Sequence, residues 1–179
     1  MDLKFTVSAR IARPVAEVFE AVADPAILSE YFTTGGASGR LEAGATVTWD
    51  FADFPGAFPV EVLEVVPNEK IVLSWEAGDG REDHETGTWE RGGYNTKVTM
   101  TFKPLDAGTR TLVEITEEGW RENEGGLQAS YGNCMGWSQM LAALKVWLEH
   151  GINLREGCTP SPVARRTSRA TSCAVPERR

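Results

Sequence analysis

From Thr46 to Trp120 the apolar residues recur mainly at every second position, and the interruptions between these stretches are too short to hold a crossover. TVTWDF puts Val47, Trp49 and Phe51 on one face, KIVLSW does so with Ile71, Leu73 and Trp75, and KVTMTF with Val98, Met100 and Phe102. The interruptions DFPGAFP, VPNE, AGDGRED, RGGYN and PLDAGT carry turn-forming residues. Connections of that length join antiparallel neighbours, so the centre of the chain is predicted to be a set of hairpins, around six strands in all.

What flanks this region decides how its apolar face is covered. LKFTVSARI alternates as a half-buried strand and ends before Pro14. Val15, Val18, Phe19 and Val22 then follow at helical spacing, and Asp24 with Pro25 opens a second short helix through Ile27, Leu28 and Tyr31. TTGGASG reads as a loop. After the polar stretch RENEGG, a long helix is predicted from about Leu127. Its stripe runs through Tyr131, Cys134, Trp137, Leu141, Leu144 and Leu148, and Gly151 stops it. A curved sheet with one apolar face can be covered by one such helix. The expectation is an α+β fold with a curved antiparallel sheet of six or seven strands, two short helices after the first strand, and a hollow under the long C-terminal helix.

A chain of 179 residues suffices for one domain with its own core. Residues 1–154 hold 12 Lys+Arg against 24 Asp+Glu, net −12, whereas 155–179 hold 6 against 2, net +4. An acidic body of this kind repels phosphates and anionic membrane surfaces, which argues against nucleic acid as a partner. No window of eighteen apolar residues occurs and the N-terminus lacks a signal-peptide pattern, so neither membrane insertion nor export is expected. Cys134, Cys158 and Cys173 are odd in number and irregularly spaced, which fits a reducing, cytoplasmic setting. The Pro-, Ser-, Thr- and Arg-rich residues 155–179 are expected to be a disordered tail behind a domain of residues 1–154.

RPVAEVFEAVADPAILSEYF, GATVTWDF, EVLEVVPNEKIVLSWE and the tryptophan- and leucine-bearing stretch from Gly136 to Gly151 together resemble the START-like superfamily called SRPBCC. Within it they look most like the activator of heat-shock protein 90 ATPase homologue family. The resemblance covers residues 3 to about 157 and implies a helix-grip fold with a mostly apolar pocket between sheet and C-terminal helix. It further implies binding of a small apolar or aromatic molecule. Alternatives are an interaction protein acting on a chaperone ATPase in a stress response, as a monomer or weak homodimer, or a cyclase- or aromatase-like enzyme. The namesake's additional N-terminal domain has no counterpart in these residues.

The residues expected to line a ligand pocket are Phe32, Trp49, Phe51, Trp75, Trp89, Met100, Trp120, Tyr131, Asn133, Trp137 and Leu141. Each aromatic among them also serves simply as core, while Trp147 falls a step off the stripe. Gly132 and Gly136, one turn apart, each cost a helix about 0.8–1 kcal/mol relative to Ala. Either the backbone packs closely there or the missing side chains leave pocket volume. Asn133 between them either bonds a strand end or presents its amide to a ligand.

Catalytic groups are sparse. His84 lies in a polar hairpin segment and His150 at the helix C-terminus, where the dipole favours an imidazolium. Neither metal-ligand spacing, nor a phosphate-cradling loop, nor a nucleophile elbow is present, so no cofactor or metal is expected and binding is favoured over catalysis. The carboxylates considered for a pocket acid or base are Asp50, Asp53, Glu61, Glu64 and Glu114, most of them assigned to the solvated face. RRTS, at 165–168, matches a basophilic kinase site.

Overall fold

The first strand, β1 (Lys4–Ile11), leads into α1 (Val15–Ala23) and α2 (Pro25–Tyr31), as the prolines indicate. Asp24 caps α2 through the Ala26 amide and Pro25 occupies its first turn. The structure is a computed structural model and describes residues 2–52, 56–78, 82–83, 88–89 and 92–157. The remaining strands are β2 (Gly36–Ser38), β3 (Thr46–Asp50), β4 (Phe58–Val66), β5 (Lys70–Glu76), β6 (Glu82–Asp83), β7 (Thr88–Trp89), β8 (Asn95–Leu105) and β9 (Arg110–Glu118). Helix α3 (Glu124–His150) is the last element.

Seven strands form one antiparallel sheet in the order β1-β9-β8-β5-β4-β3-β2, with β6 and β7 paired separately. The first and last long strands are thus neighbours, and the two short helices cross between the sheet's opposite edges. TTGGASG is not wholly loop: its Gly36–Ser38 segment pairs with Thr48–Asp50. Side chains this small leave no period-two pattern to read, although Ala37 packs against the core. In β4, Leu63 is outward by the alternation of buried Val60 and Val62 and is 51% exposed, and a bulge between Val62 and Glu64 turns Glu64 outward as well.

Helix α3 starts one turn earlier than its apolar pattern suggests, because Asn123 caps it by accepting from the Gly126 amide. Gly126 suits this turn: a Cβ there would lie 2.1 Å from the Arg121 carbonyl oxygen. At the other end Gly151 takes a left-handed conformation (φ 68°), as a helix-stopping glycine does. The buried stripe is Trp137, Met140, Leu141, Ala143 and Leu144. Tyr131 is not on it but 60% exposed, as is Met135 at 61%. Towards the N-terminus the covered face passes through Ser130 and Gly126, one position away from Tyr131.

The C-terminal half of α3 is clamped to the start of the chain. Glu149 accepts from the Ala12 amide (2.6 Å), and Lys145 donates to the Arg10 carbonyl (2.9 Å). The Ala12 amide and Lys145 together hold the Glu149 carboxyl below the usual carboxylate range.

Gly132 and Gly136 have nothing within 4 Å of where a Cβ would stand, and neither adopts a positive φ. Close backbone packing is therefore not their role; the missing side chains leave space. Gly132→Ala and Gly136→Ala are each expected to stabilise the fold by about 0.8–1 kcal/mol, read as a raised urea midpoint at unchanged m-value.

Candidate functional site

Along β9 the alternation Thr111, Val113, Ile115, Glu117 faces α3, and all four are buried. The last is a carboxylate with no exposed surface at all. Its neighbours across the sheet are Phe5 on β1 and Val98 on β8.

A buried charge persists only where its oxygens are satisfied. Oε1 accepts from Trp75 Nε1 (2.9 Å), Thr96 Oγ1 (2.7 Å) and Asn133 Nδ2 (3.1 Å). Oε2 accepts from Trp137 Nε1 (2.8 Å) and Asn133 Nδ2 (3.2 Å). These donors come from β5, β8 and α3, so the carboxylate ties the N-terminal half of the helix to the middle of the sheet. Indole N–H groups can only donate, which suits an anion rather than a protonated acid. Among the described residues no ion pair involves Glu117.

Two opposing effects act on its proton. Burial, the larger, pushes the Glu117 carboxyl above its ordinary value of 4.5, while the hydrogen bonds from Thr96, Trp75, Trp137 and Asn133 pull it back. The folded protein therefore keeps this proton to higher pH than the unfolded chain does. Its contribution to stability is complete below the ordinary carboxylate range and is lost as pH rises through the folded value. The stability of the native protein minus that of Glu117→Gln is expected to fall between pH 4 and pH 8 in urea titrations. A flat or rising difference would contradict the assignment.

Around this group stand the aromatic rings. Trp137 is sandwiched between Phe32 (5.7 Å, 26°) and Trp75 (5.2 Å, 22°). Trp49 meets Phe32, Trp75 and Trp137 edge-on at 5.7, 5.7 and 6.4 Å. Phe51 stacks on Phe58 at 6.0 Å, and Phe58 meets Trp75 edge-on at 5.8 Å. Trp49 and Trp137 are fully enclosed, whereas Phe51, Phe58 and Trp75 are only half-buried and make up the partly exposed edge of the aromatic cluster, its mouth. The buried Trp49 Nε1 has no acceptor among the described residues.

Of the residues predicted to line a pocket, Phe32, Trp49, Phe51, Trp75, Asn133 and Trp137 come together here. Met100 and Leu141 are core residues. Trp120 goes elsewhere. With Leu3, Leu63, Ser74, Lys97 and Glu118 it lines a cavity of about 410 Å³ on the face of the sheet away from α3, its own Nε1 unpartnered. Gly119, at φ 95°, turns the chain out of β9 before Trp120. Tyr131 points to solvent. The Trp89 side chain, His84, Asp53 and the segment 158–179 with RRTS lie outside the described residues.

Among the carboxylates weighed from sequence, Glu64 pairs with Lys70 and Glu114 with Lys103 on the outer face. Glu117 was missed. The signal was present, since Val113 and Ile115 fix the inward parity of β9 and Glu117 continues it two residues on. Asn133 does bond a strand end, and its partner is this carboxylate. Among the described residues no group of His, Cys, Asp and Glu converges as a metal site, and no helix is long and apolar enough to cross a membrane.

Comparison with known proteins is consistent with this architecture. The protein SSP2350 from Staphylococcus saprophyticus is 25% identical, with 86% of this chain and 96% of that one covered at a TM-score of 0.66. The Aha1 dimer from Colwellia psychrerythraea is 18% identical over 83% and 98% of the chains (TM-score 0.60). DynU16, from the dynemicin biosynthetic locus, is 23% identical over 83% of this chain but 48% of its own (TM-score 0.61). A search of curated proteins finds no match. So many solved chains, 218 of them, match that the fold alone cannot decide a function. The profile of the Activator of Hsp90 ATPase homolog 1-like protein family matches residues 12–149, and the chain belongs to that family.

Proposed function

We propose that the protein binds a small, flat, largely apolar molecule at the aromatic mouth between the sheet and α3. The observation that carries this reading is Glu117, a fully buried carboxylate set among aromatic rings and held by two indoles, a threonine and an asparagine. A chain that needed only a core at this position would be served by an apolar residue of similar volume, without the desolvation cost. The half-buried rings of Phe51, Phe58 and Trp75 supply rigid apolar walls. The space beside Gly136 and the unpartnered Trp49 N–H supply room and a donor for a ligand oxygen.

Trp75 and Trp137 make the site its own reporter. Titration of the purified protein with a panel of aromatic and aliphatic compounds, followed by tryptophan emission and native mass spectrometry, is expected to find members that bind and shift the emission. Phe58→Ala should weaken those members about tenfold, the scale of a lost aromatic contact plus its buried area. Gly136→Ala should weaken them too while raising stability. A panel that neither binds nor shifts the emission would end the proposal.

A further inference from the structure

Resting on the reading above, we infer that the aromatic mouth is selective for an organic cation, an alkyl- or arylammonium or guanidinium group, rather than for an uncharged molecule. Three observations converge on this. The chain already places a cation there: the Arg155 guanidinium carbon lies 5.8 Å from the Phe51 ring centroid, within cation–π range. The mouth is backed by an anion that has donors but no ion-pair partner among the described residues. The Glu117 carboxylate also accepts the Trp75 N–H at 2.9 Å, and an indole that donates to a carboxylate gains electron density in its ring, which strengthens its attraction for a nearby cation.

The geometry provides the remaining requirements. Phe51 and Phe58 stack nearly parallel, with an interplanar angle of 20°, and Trp75 stands against Phe58 at 65°. The three half-buried rings thus lie side by side with part of each open to solvent, aromatic surface against which an organic cation can be held. Residues 1–154, at net −12, add a long-range field that draws cations and repels anions. Arg155, the first residue after that stretch, then acts as an internal competitor that an incoming cation displaces from Phe51.

The test uses the full chain and two probes of one shape, phenyltrimethylammonium and its uncharged isostere tert-butylbenzene, titrated by tryptophan emission and ligand-observed NMR. The cation is expected to bind about tenfold more tightly than the isostere, the upper range of a cation–π contact. Arg155→Ala should raise the cation's affinity about threefold by removing the competitor, and Phe51→Leu should lower it about fivefold. Glu117→Gln should narrow the gap between the probes; if that variant fails to fold, the Arg155 and Phe51 variants still decide. Equal binding of both probes overturns the cation inference and leaves the aromatic-ligand reading standing. Cation affinity indifferent to Arg155→Ala overturns it as well, because the cation then sits elsewhere. Absence of binding by these probes while other panel members bind has the same effect. Failure of the whole panel overturns both readings.

Discussion

Glu117→Leu is expected to destabilise the protein by about 3 kcal/mol at neutral pH, measured as the loss of unfolding free energy in urea. The substitution removes the acceptor of five hydrogen bonds and leaves the indole N–H groups of Trp75 and Trp137 facing an apolar side chain. An orphaned buried donor costs about 1–3 kcal/mol. Thr96 can rotate its hydroxyl and half-buried Asn133 can turn to water, so the two tryptophans dominate the cost. Relief of the carboxylate's desolvation offsets part of it. Glu117→Gln should cost less, about 1–2 kcal/mol, because one oxygen remains and only one indole faces the new amide nitrogen. A Leu variant as stable as the native protein would mean that the carboxylate is held at a net cost equal to everything its donors return.

That prediction depends on a residue the sequence pointed to without naming. The architecture was legible because the period of two, the short breaks, the two proline-opened helices and the terminal stripe all agree on one arrangement. The aromatic cluster followed from parity: Trp49, Phe51 and Trp75 share a face with Val47, Leu73 and Ile71. Glu117 is not among the carboxylates singled out from sequence, although Val113 and Ile115 place it inward by the alternation of β9. Tyr131 failed for a different reason. Helical spacing puts its apolar ring one position off the covered stripe, which runs Gly126, Ser130, Asn133 and Trp137, so Tyr131 and Met135 share the outer face of α3. Trp120 follows the alternation of β9, whose odd positions from Thr111 to Glu117 face inward, so its even position already belongs to the other face of the sheet.

Trp137 separates the packing contribution from the polar one. Trp137→Ala is expected to cost about 3–5 kcal/mol, since the side chain is 2% exposed and fills the layer between Phe32 and Trp75. Trp137→Phe keeps a ring in the stack but takes away the N–H that reaches Glu117 Oε2 at 2.8 Å, leaving that oxygen with Asn133 alone. Its expected cost is about 2 kcal/mol, the sum of lost ring volume and one charge-assisted hydrogen bond. The two variants also differ in what pH does to them. With one donor fewer, the Glu117 carboxyl in Trp137→Phe is raised further, so stability should be lost over a wider span as pH rises from about 4, following the sign that holds for a raised folded-state pKa. Pairing Trp137→Phe with Glu117→Gln then gives a double-mutant cycle in urea. A coupling of at least 1 kcal/mol is expected, with the pH dependence abolished in both variants that carry Gln. Additive losses with an unchanged pH profile would show that Trp137 stabilises the helix by stacking alone, and that the carboxylate is held by β5 and β8 without it.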